Sequence, residues 1–196
     1  SQGRVMPSVL VTAPAAEPLS LAEAKLHLRV DDNADDALIG ALITAARQHA
    51  EHDTRRALVT QTWKLALDAF PEAEVTLDHA PVSAVVSVTY TDPDGVLRTL
   101  APEGYTLDAI TEPCRLVPSY GNRWPATRTQ VNAVAITYTC GYGAPEAVPE
   151  SIKRWMLLRI GALYENREEV LTGRAITLAP LPFVDGLLAP YRLLEF

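Results

Sequence analysis

VPESIKRWMLLRIGALYENREEV, residues Val148 to Val170, is the longest segment that reads as helix at both ends and through its middle. Pro149 suits a first turn, where its missing N–H costs nothing. Glu150 lies near the positive end of the helix dipole. Ile152, Trp155, Met156, Ile160, Leu163 and Tyr164 recur at three- and four-residue steps and form one apolar stripe. Leu157, Leu158, Gly161 and Ala162 fall outside that stripe and are also small or apolar. The spacing therefore predicts a helix packed on two sides, either deep in a core or between a core and another subunit.

Working outward, a second long helix is expected from about Ala34 to Arg56, with a stripe of Leu38, Ile39, Leu42, Ala45, Ala46 and His49. Ile43 and Ala50 lie beside that stripe. The acidic run Asp31–Asp36 charges its start favourably, and Arg47, Arg55 and Arg56 charge its end. Before it, Ser20 followed three residues on by Glu23 has capping-box spacing and opens a short helix, with Leu21, Ala24, Leu26 and Leu28 on its apolar side. Residues 1–19 read as an extended arm in which Val9, Leu10 and Val11 are available for docking.

The middle of the chain is a β excursion. Gln61–Phe70 alternates, as do Val86–Thr91 and Val134–Cys140. Asp92-Pro93-Asp94-Gly95 is a turn signal between Val86–Thr91 and Val96–Leu100, so a hairpin is expected there. Val75–Leu77, Tyr105–Leu107 and Cys114–Val117 are shorter strand candidates, and Gly141-Tyr142-Gly143 reads as a strand exit. The fold class is α+β: a small antiparallel helical bundle, with an antiparallel β region inserted between its two long helices. The organisation expected is an arm at 1–19, a helical core at 20–58 and 146–196, and the inserted β region at 59–145.

Composition narrows the function. A net charge of -7 argues against a general nucleic-acid binder, which would carry a basic face. It is compatible with a wall that surrounds DNA without gripping it. No apolar run reaches the roughly 18 to 20 residues that span a bilayer, and the opening SQGRVMPSV lacks the pattern of a secretory signal. A cytosolic origin is expected. Cys114 and Cys140 lack metal-type spacing and read as buried reduced thiols.

Candidate chemistry is sparse. His49, His52 and Asp53 stand at i, i+3 and i+4, a spacing able to hold a metal, but a polar helix end accounts for them as well. No HExxH, nucleophile elbow or phosphate-binding loop is present. The acidic groups at Asp31–Asp36 and Glu165–Glu169 read as solvated helix ends. Trp124, in the loop Pro118–Thr129 with Arg123 and Arg128, stacks either on a ligand or on its own domain. No catalytic residue, cofactor or metal site is assigned. The tail from Phe183 to Phe196 is rich in Leu and aromatic residues, and either folds back onto the core or docks on a neighbour. Apolar ends on such a scaffold point to assembly.

Several pieces in order, TAPAAEPLSLAEAKLHLRVD (Thr12–Asp31), DDALIGALITAARQHAEHDTRRALVTQTWKLALDAFP (Asp35–Pro71), PVSAVVSVTY (Pro81–Tyr90), ITYTCGYG (Ile136–Gly143), the Val148–Val170 helix and LLAPYR (Leu187–Arg192), resemble the head–tail connector proteins of tailed bacteriophages and prophages. The resemblance covers nearly the whole chain. It implies a structural subunit of a ring beneath the portal, found at the head–tail junction of the virion and in the host cytoplasm during assembly. The implied partners are other copies of the chain, the portal, and a tail or second neck protein. DNA would pass through the channel without sequence-specific binding, and no membrane is involved. The isolated chain is compatible with a monomer. The β region here is larger than in the most compact connectors. Trp155, Leu158, Tyr164, Leu187, Leu188 and Tyr191 are the candidate contact residues. The alternatives are another neck or tail module that recognises a partner through the β region and, more remotely, a metal-dependent enzyme at His49, His52 and Asp53 or at the Trp124 loop.

Overall fold

The computed structural model describes residues 8–166, 184 and 186–193. The expectations for Met6, for the stretch Thr172–Pro182, and for Phe183, Leu194 and Phe196 lie outside these residues, as do those for the last residues of the Val148–Val170 segment. The described chain carries eight strands and three α-helices: β1 (Val9–Thr12), α1 (Leu21–Leu28), α2 (Asp36–Thr54), β2 (Gln61–Leu67), β3 (Val75–Thr76), β4 (Val82–Thr91), β5 (Leu97–Leu100), β6 (Tyr105–Asp108), β7 (Arg115–Pro118), β8 (Val134–Cys140) and α3 (Glu150–Glu165). They divide into two compact units. One is β, from residues 1–15 and 60–142; the other is helical, from 16–59 and 143–196.

In the helical unit α2 packs on α3, and α1 packs on both. Helix α1 begins with the expected capping box: Glu23 N donates to Ser20 Oγ at 3.2 Å, and Ser20 N donates to Glu23 Oε2 at 2.7 Å. Of its expected apolar side, Ala24 is fully buried, whereas Leu26 faces solvent. The buried stripe of α2 is Ile39, Ile43, Ala46, Arg47, Ala50 and Thr54. It is rotated from the expected one, leaving Leu38 and Ala45 exposed. The reason is Arg47, which sequence reading placed at a basic helix end. Its Nε donates to Glu17 Oε2 and its guanidinium also donates to Glu51 Oε2, both at 2.7 Å. Burial opposes that charge, yet Glu17 and Glu51 outweigh it and raise the Arg47 pKa.

Helix α3 buries Ile152, Trp155, Met156, Leu157 and Ile160 within the chain, while Leu158 and Ala162 remain exposed. Residues 186–193 fold back on this unit. Leu188 is fully buried, Arg56 Nε donates to the Tyr191 carbonyl at 2.6 Å, and Leu193 N donates to the Thr54 carbonyl at 3.2 Å.

In the β unit, a five-stranded antiparallel sheet has the order β1-β2-β8-β4-β5, and a three-stranded sheet the order β3-β7-β6. The arm residues Val9–Thr12 are thus an edge strand, pairing with β2. β8 alternates strictly: Val134, Ile136, Tyr138 and Cys140 are buried, and the residues between them are half-exposed. Opposite residues share a face, so register links the less buried face as Thr62, Lys64, Thr137, Thr139, Ser87, Thr89, Thr91 and Thr99. The β4–β5 hairpin closes as expected. Gly95 N donates to the Asp92 carbonyl at 2.9 Å with Gly95 at φ 85°, and Val96 N donates to Asp92 Oδ1 at 2.8 Å.

Breaking a buried ion pair by removing one partner is expensive, so Arg47→Ala is expected to cost about 3 kcal/mol. Glu17→Gln, which leaves Glu51 in place, is expected to cost about 1 kcal/mol. Urea unfolding followed by circular dichroism measures both, and equal losses would contradict the account of Arg47.

Candidate functional site

The residues able to carry chemistry are accounted for by structural contacts. His49 Nε2 lies 3.4 Å from Asp53 Oδ2 one turn on, and its ring meets Trp155 edge-on at 5.2 Å. His52 points to solvent. No group of three or more metal-type side chains is found among the described residues. Cys114 and Cys140 are both buried thiols, with Cys140 Sγ directed at the Gln61 carbonyl.

Trp124 serves its own domain. Its indole stacks on Phe70 at 4.7 Å with planes 2° apart, and its Nε1 donates to the Ala73 carbonyl at 3.2 Å. The surrounding open groove, about 500 Å³, is lined by prolines together with Phe70, Glu72, Arg123 and Trp124. Those side chains pin the loop between β7 and β8. They present no nucleophile beside a base.

A polar cluster lies over the buried face of the larger sheet. Ser8 Oγ donates to Asp78 Oδ2 at 2.9 Å and lies 3.3 Å from the Tyr138 hydroxyl. Next to Asp78, the His79 ring stacks on Trp63 at 3.8 Å. A hydrolytic triad runs carboxylate to imidazole to hydroxyl. Here the hydroxyl binds the carboxylate directly and the imidazole is occupied by an indole. Burial drives the Tyr138 hydroxyl pKa upward, so it stays protonated, and burial drives the His79 pKa down although Asp78 opposes it. On the smaller sheet Arg115 bridges Asp108 at 3.0 Å and Glu74 at 2.9 Å. Backbone donation from Thr111 is the foremost influence holding the Asp108 carboxyl well below its ordinary range. These are tethers between neighbouring strands. Among the described residues every buried side-chain nitrogen and oxygen has a partner.

The candidate contact residues fall into two groups. Trp155 and Leu188 are buried within the helical unit, at 3% and 0% exposure. Leu158 is 37% exposed, and Leu187, Tyr164 and Tyr191 are half-exposed. The Tyr164 hydroxyl donates to Asp35 Oδ2. The structure brings Leu187, Leu188 and Tyr191 together on the folded-back segment, and sets Leu158 and Tyr164 on α3. Sequence reading missed the most exposed apolar residues of the β unit, among them Ile110 at 96%, Tyr120 at 105% and Leu97 at 71%. Their positions in or beside turns were the available signal.

Comparison with known proteins bears on this scaffold. Residues 18–99 match the model of the phage gp6-like head–tail connector proteins, so the resemblance read from the sequence holds over that stretch. No curated protein matches. Among solved structures, a chain in the virion of a native gene transfer agent particle superposes with a TM-score of 0.81 at 28% identity, over 97% of each chain. Chains from the neck of the empty particle computed with C6 symmetry and of the native particle computed with C12 symmetry superpose at 0.80 and 0.73, with the same identity and coverage.

Burial of the His79 ring makes the stability of the fold depend on pH. A protonated ring is disfavoured in the fold, so its pKa lies below the ordinary 6.5, and the unfolded chain binds the extra proton first. Stability linked to His79 is therefore complete above that value and is lost as the pH falls through and below it. His79 sits at φ 61°, which asparagine tolerates. His79→Asn is expected to flatten the drop in urea midpoint between pH 7 and pH 5, and an unchanged drop would contradict this assignment.

Proposed function

We infer that this chain is a structural subunit of a virion neck, a head–tail connector that joins the DNA-filled head to the tail. The observation carrying the reading is the superposition over 97% of both chains on proteins of particle necks, together with the connector match at residues 18–99. The site agrees with it. Each cluster that could host a reaction is used to fasten one segment to another, and exposed apolar side chains remain on both units. The chain acts by docking, and no bond-making step is assigned to it.

The neighbours' cyclic symmetries support a ring of copies of this chain. In that ring the portal lies on one side, a tail or second neck protein on the other, and DNA passes through the centre. A net charge of -7 suits such a conduit, because a wall that bound phosphate tightly would hinder passage. We assign Leu158, Leu187 and Tyr191 to the surface offered to neighbours. Trp155 and Leu188 support that surface from beneath, and the Tyr164 bond to Asp35 holds the end of α3.

Coexpression with the portal from the same genome tests the reading. The chain is expected to co-sediment with portal oligomers through a density gradient and to appear in purified necks. Portal fractions and necks that both lack it would contradict the assignment.

A further inference from the structure

We propose that the larger sheet continues from subunit to subunit, the β1 edge of one copy pairing with the β5 edge of the next; this rests on the ring proposed above. The two strands end the sheet on opposite sides, and among the described residues no strand pairs with the outer side of either. Each is four residues long.

Free edges are usually guarded by lysine, proline or an inward charge, because their unpaired N–H and C=O groups recruit other strands. Val9–Thr12 carries no lysine, proline or charge, and its protection is limited to its short length and the register shift between Leu10 and Thr12. Val9, Leu10 and Val11 are 61%, 42% and 55% exposed. At the far edge Leu97 is 71% and Val96 47% exposed, and the one charge in β5, Arg98, is held by Asp92 at 2.8 Å within its own hairpin.

Geometry selects which edges meet. A cyclic ring needs two different surfaces, one on each flank of the subunit, whereas an edge pairing with its own copy closes a dimer and stops. β1 and β5 are two different surfaces, at opposite edges of one sheet. Every neighbouring pair in the sheet is antiparallel, so in a five-strand order the two edge strands run the same way. A copy turned by a small fraction of a circle therefore brings its β1 alongside β5 in parallel, which gives an evenly spaced ladder. Register places Val9 on the same face as Leu97 and Thr99, and Leu10 on the same face as Leu100. With Leu10 level with Leu100, Val9 stands level with Thr99 and diagonal to Leu97, so the junction pairs apolar residues directly on one face and diagonally on the other. Four residues a side is a small contact, so this seam fixes orientation while other surfaces add area.

Disulfide capture in assembled rings tests the seam. The native cysteines are buried, so the introduced pairs report on it. Val9→Cys with Leu97→Cys, and Val9→Cys with Thr99→Cys for a register two residues away, are oxidised in portal-bound rings confirmed by electron microscopy. At least one pair is expected to give a covalent ladder on non-reducing gels, with each single variant remaining monomeric. Separately, Val9→Lys with Leu97→Lys is expected to lower ring yield about tenfold at an unchanged thermal midpoint, because like charges oppose each other across paired strands. Rings that form but give no ladder with either pair, or that tolerate both lysines, overturn the seam and leave the neck assignment standing. Failure of the unaltered chain to form rings overturns both.

Discussion

Everything in this chain depends on α2 meeting α3. Their contact closes the helical unit, and residues 55–149 lie between them in sequence. Whatever occupies that interval must leave and return at neighbouring points. The β2–β8 ladder meets the requirement, because Gln61 and Cys140 are direct partners at its end. Exit and return therefore lie side by side, and a large insertion is compatible with a compact helical core.

The charges inside the helical unit follow the same logic. Arg47 turns inward because Glu17 and Glu51 meet it, which ties the start of the unit to the middle of α2. Arg56 turns inward to hold the Tyr191 carbonyl, which ties the returning segment to the end of α2. Such groups resemble catalytic residues in composition alone. In place they are fasteners between segments far apart in sequence. A protein whose task is to be held by neighbours needs such internal fastening, since the surface that docks must already be shaped.

Local signals were legible in the sequence and distant ones were not. Ser20 and Glu23 announce a helix start because the capping box spans only three residues. Asp92-Pro93-Asp94-Gly95 announces a hairpin because turn chemistry is local. The alternation of Val134–Cys140 gives its buried face directly. The α2 stripe was misjudged by a small rotation because the partners of Arg47 include Glu17, thirty positions away, and a charged residue alone counts as polar. The pairing of β1 with β2 was equally hidden, since nothing in Val9–Thr12 names its partner. For the candidate site, the spacing of His49, His52 and Asp53 stated what a helix face could hold. Only the fold shows that His49 faces Trp155 and Asp53. The connector resemblance came from the order of many weak phrases, which is why it reached the fold and the assembly class more readily than the contact residues.

In the function proposed above, this chain forms a ring in a neck. Electron microscopy of the purified chain at high concentration and with its portal, averaged without imposed symmetry, tests it most directly. A closed ring with a central hole is expected in the portal-bound sample. Portal particles with no added ring density, alongside a chain that stays monomeric under both conditions, would contradict it.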